Sequence, residues 1–451
     1  MKDVNEISES REKTSDSLIA TGFTRCEITD ESTSLIKKDE NTYVKDRYNL
    51  VFIIFVIQGL ATILPWNLFL TAKSYYVDYK LYPAGDADYR LNFLTYAGVA
   101  SQIPNTVLNG LNLFSQGQSR LNVSHRIIIS NIITLLLFVL TIAMCLIDSS
   151  QWPGVFFAIT LITIIIFNMC SGVWANCIFG IGAQFPTKYI NGIITGMNIS
   201  GLLCALMVIG TKEAGDSDRT SALFYFIIAM VILILALDAF LSFKQTRYFR
   251  MVYSDAKISK DNRIQTYDRL PYFITFKKIW VELFDVWLHR LVSLTVYPAI
   301  MVDVKRLDPN FFIPEHLFAD INCYLLTGIT RILGSICSYY VRGPSSKYMI
   351  FVQAGRCFLI PFFVMCNYRP ATRGSLPVIF NDWVFMIGCI IHGFINGQMS
   401  GTTMMNAKKA AGDDKMMQKT AGMMAAFLQS FGFMCGHWFT LLVTYLVENI
   451  Y

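Results

Sequence analysis

Pro65, Trp66 and Asn67 stand side by side inside an apolar run, GLATILPWNLFLTAKSYY, at residues 59–76. A proline removes one donor from a helix ladder, an indole offers a wide flat surface with one N–H, and an amide both donates and accepts. That combination suits the wall of a cavity built on a broken helix. Trp66 lies well inside the run rather than at the interfacial belt where such aromatics concentrate. Other amides are buried in apolar surroundings: Gln102, Asn105, Asn109 and Asn112 in one run, Asn168 and Asn176 in another. In hydrocarbon such groups require partners. Arg331 stands near the middle of a later run, and an intramembrane charge usually marks a solute path. The blander role for it is a guanidinium bonded to helix carbonyls or near a lipid headgroup. Enzymatic constellations are scarce. His125, His289, His316, His392 and His437 form no H-x-x-x-H pair and have no cysteine at ligand spacing, and no Walker loop is present. The methionine pairs at 404–405, 416–417 and 423–424 read as flexible packing rather than soft-metal traffic. Neither an enzyme nor a bound cofactor or metal is expected.

The elements that must position these residues are membrane helices. Of 451 residues, 54% are hydrophobic and 16% charged, with 34 Phe, 22 Tyr and 7 Trp, against roughly 45–50% and 25% in a soluble domain. The mean hydropathy is +0.44. Lipid must cover that apolar mass. The net charge of +6 sits in short clusters between apolar runs, so it signals topology, and a nucleic-acid partner is not expected. The expected fold is all-α and polytopic, with eleven transmembrane helices near 48–76, 91–115, 125–147, 152–180, 188–211, 220–243, 279–302, 314–340, 348–366, 382–406 and 420–446. Residues 1–46 read as a disordered cytoplasmic tail, 47–243 as a six-helix bundle, 244–278 as a basic cytoplasmic linker and 279–451 as a five-helix bundle. Lys and Arg in alternate loops place the N-terminus inside. Small-residue stripes at Gly192 and Gly196, at Gly393, Gly397 and Gly401, and at Gly432 and Gly436 predict close helix packing within the chain, with a dimer face as the alternative. Most cysteines lie inside apolar runs without C-x-x-C pairs and read as packing residues.

Residues 59–67 closely resemble the first helix of the equilibrative nucleoside transporters, with its G-L-x-T-x-L-P-W-N pattern. The resemblance continues through N-x-x-x-G-x-x-x-x-x-x-F-G before Pro186, YPAIMVDVK at 297–305, RCFLIPFFVMCNYRP at 356–370 and FING at 394–397. It covers the chain apart from the tail. It implies a major-facilitator-like arrangement of six plus five helices and facilitated diffusion of nucleosides, with nucleobases as further substrates, by alternating access. The implied substrate-binding residues are Ile63, Trp66, Leu70, Gln102, Asn105, Asn176 and Arg331. Trp66 with Ile63 and Leu70 forms an aromatic and apolar slot for the base, and the amides serve hydroxyls. Gating is expected at Asn67, Arg126 and Pro298.

The departures are as informative. The family's fourth-helix glutamine falls on Ala175, with Asn176 beside it. Its eighth-helix acid is replaced in either alignment register by Arg331 or Thr327, and its gate acid before T-A-G by Lys419. The inner gate is then expected to close through Asp413 or Asp414. With Met197 where an acid would favour cations, organic cations are disfavoured. The alternatives are a transporter retuned to another neutral or anionic solute and a proton-coupled nucleoside carrier of an endolysosomal membrane, the latter suggested by an acidic dileucine pattern at Glu31, Leu35 and Ile36. A plasma-membrane location is the simpler expectation. Oligomeric state is not encoded legibly.

Overall fold

The computed structural model describes residues 46–449 except 74, 86, 92, 116–122, 215–216, 244, 252–270, 342, 371–372 and 374–377. The tail, the middle of the basic linker and the dileucine pattern lie outside the described residues. The described residues are mostly helical, with one isolated antiparallel bridge between Val304 and Tyr368. In order come α1 (Leu50–Thr71), α2 (Phe93–Ser115), α3 (Val123–Leu146), α4 (Pro153–Gly182), α5 (Thr187–Ala214), α6 (Asp218–Phe243), α7 (Tyr272–Leu294), α8 (Thr327–Tyr340), α9 (Ser346–Cys357), α10 (Leu359–Val364), α11 (Asp382–Ala411) and α12 (Lys415–Asn449). Helices cover the apolar runs for local reasons. Pro153 sits in the first turn of α4, where its missing N–H costs nothing. Asn381 Oδ1 accepts from Val384 N at 3.0 Å to cap α11. Gly412 at φ +83° ends α11, a conformation that favours a residue without Cβ.

Six described helices, α1, α3, α4, α5, α6 and α12, are long and apolar enough to cross a membrane by length and composition. Four of the five other expected spans fall short for visible reasons. Amides interrupt α2, charges interrupt α7, and two segments are broken. The span expected at 314–340 divides into a short helix Glu315–Ala319, a π-helical turn Asp320–Leu326 and α8. The span at 348–366 bends at Phe358, close to Pro361. Two further corrections concern α1 and α7. Pro65 lies inside a continuous α1 rather than breaking it. Beside Ala61, whose carbonyl loses its ladder donor, the Thr62 carbonyl takes a bond from Ser171 Oγ of α4. Helix α7 begins at Tyr272, within the expected linker, bends at Ile279, and is followed by a π-helical turn Thr295–Ile300.

The surface is inverted relative to a soluble bundle. On α3, Asn131 and Thr134 are buried while Leu136, Val139 and Leu140 are exposed; on α6, Phe224, Ile227, Val231 and Leu235 are exposed. Apolar residues outward and amides inward describe a multi-pass membrane protein. The buried amides find partners: Gln58 Nε2 donates to Ala236 O at 2.7 Å, Trp174 Nε1 to Gln58 Oε1 at 3.0 Å, and Asn131 Nδ2 to Leu233 O at 3.3 Å. The glycine stripes pack within the chain. A Cβ at Gly196 would collide with Val56 O of α1, and one at Gly397 with Arg331 O of α8, while Gly432 and Gly436 lie against α7.

Candidate functional site

One long stripe of α1 is left partly accessible: Ile63, Trp66, Asn67 and Leu70, at i, i+3, i+4 and i+7, while Leu64, Pro65, Leu68 and Phe69 are buried. That stripe forms one wall of a cavity of about 1270 Å³, the volume at its open mouth included. Gln102 and Asn105 of α2, Pro298 beyond α7 and Arg331 of α8 also line it. Eight of the residues singled out from sequence therefore meet in one place: Ile63, Trp66, Asn67, Leu70, Gln102, Asn105, Pro298 and Arg331. The side chains of Trp66, Gln102 and Asn105 make no described hydrogen bond to the protein, so their donors and acceptors are available to a solute. Asn67 Nδ2 is held by Ser200 Oγ at 3.0 Å. The Arg331 guanidinium lies over the Tyr297 ring, 4.8 Å from its centre.

Two of the expected residues lie elsewhere. Asn176 is fully buried and outside the lining, where Ala175 stands instead. Its oxygen accepts from Asn112 Nδ2 at 2.8 Å, and its nitrogen donates to Asn109 Oδ1 at 2.9 Å and Met423 O at 3.1 Å. Both ends of this amide are therefore engaged by protein. Arg126 also lies outside the lining and donates through Nη1 to Asn112 Oδ1. Asn109 Nδ2 reaches Ser430 Oγ at 2.9 Å, and Ser430 lines the cavity. Arg126, Asn112, Asn176, Asn109 and Ser430 thus form a polar chain from α3 through α2 and α4 to α12, beneath the cavity.

Below that chain, at the end where the linker joins, three lysines donate to helix-end carbonyls. Lys408 Nζ bonds Phe185 O, Lys415 Nζ bonds Gln184 O at 2.8 Å, and Lys278 Nζ bonds Ala411 O at 2.9 Å. Two of these carbonyls follow the C-terminus of α4 and one ends α11, where a cation is favoured. Asp414 Oδ1 instead accepts from Met416 N at 2.9 Å as α12 begins. At the opposite end Lys212 Nζ meets Asp320 Oδ2 at 2.5 Å and joins α5 to the segment before α8.

Sequence reasoning missed most of the lining contributed by α7, α11 and α12. Arg290 of α7 lines the cavity, its Nη2 donating to Ser400 Oγ at 2.6 Å and Gln429 Oε1 at 2.9 Å. Asn396 and Ser293 also face the cavity, Ser293 Oγ donating to Asn396 Oδ1 at 3.1 Å. The signal was present in Arg290 as a second charge in an apolar run, and in Asn396 as a member of FING.

Apolar faces outward and a polar cavity between the helices define a multi-pass membrane protein with an internal solute-sized site. Its fold is shared with the proton:xylose symporter of the major facilitator superfamily bound to 6-bromo-6-deoxy-D-glucose, at a TM-score of 0.56 and 12% identity over 88% of this chain and 89% of that one. Residues 161–445 match the family model described as nucleoside transporter, and the chain belongs to that family. Among its relatives, equilibrative nucleoside transporter 2 of Homo sapiens is 28% identical over 87% of this chain and 96% of its own length. Equilibrative nucleoside transporter 3 of Rattus norvegicus is 25% identical over 87% and 88%, and equilibrative nucleotide transporter 1 of Arabidopsis thaliana is 23% identical over 84% of each. The protein is a transporter, not an enzyme.

Proposed function

We propose that the protein carries nucleosides, and nucleobases as smaller substrates, down their gradients by alternating access of the central cavity. The observation that carries this reading is the cavity in which Trp66 and the unbonded amides of Gln102 and Asn105 stand with Arg331. A nucleoside is a planar, amphipathic base on a polyhydroxylated sugar. It calls for an aromatic slot and several hydrogen-bonding groups whose own needs the protein leaves unmet. Helices α1 to α6 before the linker, and α7, α8, the α9–α10 pair, α11 and α12 after it, would rock about the cavity, with the lysine-sealed end opening as the other closes. Asn67 and Pro298, at the α1 wall and at the break after α7, would move in that exchange, and Arg126 would hold the polar chain that closes the floor. Basic loops favour a cytoplasmic linker and N-terminus in the plasma membrane.

Radiolabelled uptake of a nucleoside and nucleobase panel into transporter-deficient cells tests this. Saturable uptake of at least one nucleoside, independent of an imposed proton gradient, is expected. Absence of uptake of every nucleoside and nucleobase by protein at the cell surface would overturn it.

A further inference from the structure

Among the described residues the cavity lining contains two guanidinium groups, Arg290 and Arg331, and no carboxylate. A third, Arg356, is 3% exposed and donates through Nη2 at 3.0 Å to Ser293 Oγ, itself part of the lining. Every described partner of the three is neutral. Arg290 is held by Ser400 and Gln429 and lies 5.2 Å from the Phe433 ring centre. Arg331 lies over Tyr297, and its Nε is buried without a partner. Arg356 bonds Gln353 Oε1 at 2.8 Å and a ring nitrogen of His289. Asp285, five residues before Arg290 on α7, lies outside the lining and makes no described ion pair. Arginine remains ionised in proteins, so the cavity keeps these charges. Neutral acceptors hold the guanidiniums in place without cancelling them, and charges in a low-dielectric site are stabilised most by an opposite charge brought close. The opposite wall, at Trp66, is flat and uncharged.

We infer that the cavity prefers planar, nucleobase-sized solutes carrying one negative charge over neutral ones of the same shape, with Arg290 and Arg331 supplying the counter-charge. This deepens the carrier reading of the same cavity and rests on it. Neutral nucleosides use hydrogen bonds from the amides, the hydroxyls and the Arg331 fork; a monoanion gains the charge of both guanidiniums as well.

The test uses the purified full chain in proteoliposomes with two oxopurines that differ in charge at neutral pH, urate as a monoanion and hypoxanthine as a neutral molecule, and with uridine alongside. Urate uptake is expected to exceed hypoxanthine uptake at least about tenfold at equal low concentration. In Arg290→Gln that ratio should fall toward one. Asn396→Asp, which is nearly isosteric and places a carboxylate beside Ser293, should lower it too and covers the case in which Arg290→Gln fails to fold. Uridine uptake without preference for urate, or a urate preference unmoved by the substitutions, overturns the inference and leaves the carrier reading standing. Absence of uptake of all three overturns both.

Discussion

The two sides of the cavity differ in chemistry. The α1 and α2 side is uncharged: one indole, two aliphatic side chains, and two amides free of protein partners. The α7, α8, α11 and α12 side is cationic and heavily braced, with Arg290 fixed by two bonds and Arg331 stacked on Tyr297. The first side offers shape and adaptable hydrogen bonds. The second offers fixed charge. A carrier must hold its solute without trapping it, and dividing recognition this way gives each side a separate share of that hold.

The comparison can be broken most severely on the charged side. Arg331→Ala is expected to lower surface-normalised uptake by more than about tenfold, since it removes charge and fork together, and Arg331→Lys to lower it less because it keeps the charge. Normal affinity in Arg331→Ala, with protein at the surface, would assign the guanidinium to structure and erase the division. On the uncharged side, Trp66→Ala should cut uptake by roughly three- to tenfold, because it removes a flat contact and leaves a gap in the α1 wall. Unchanged kinetics at normal expression would make the indole a packing residue. Smaller still, Gln102→Ala and Asn105→Ala should each weaken apparent affinity by about two- to tenfold, the worth of one hydrogen bond, with maximal rate nearly kept. The smallest effect is expected outside both walls. Lys212→Ala removes a partly exposed ion pair with Asp320, so uptake should change by less than about twofold.

The uncharged side was also the legible one. Its residues fall in one short run, and the i, i+3, i+4, i+7 spacing of Ile63, Trp66, Asn67 and Leu70 is a property of sequence alone. Helix positions were legible for the same reason: long apolar runs bounded by charge have few other solutions in lipid. On the charged side only Arg331 and Pro298 stood out in the sequence; the rest was hidden because that side is assembled from four segments far apart in sequence. Arg290 gains its role from Ser400 and Gln429, more than a hundred residues away. Asn176 misled because adjacency on a helix is not adjacency in space: one residue past Ala175, it turns about 100° away from the cavity and into the amide chain with Asn109 and Asn112. Pro65 also misled: α1 runs through it without a break, as a helix in lipid does when packed neighbours support it.

The central claim is that one cavity, shared by the two sides, alternates between the two faces of the membrane. Counterflow in proteoliposomes tests it most directly. Vesicles preloaded with unlabelled uridine are diluted into a trace of labelled uridine. A carrier of the kind described predicts a transient rise of internal label above the external concentration, reached at a rate lowered by more than about tenfold in Arg331→Ala. Label that rises only to the external level, with no overshoot in the wild-type protein, would contradict the account.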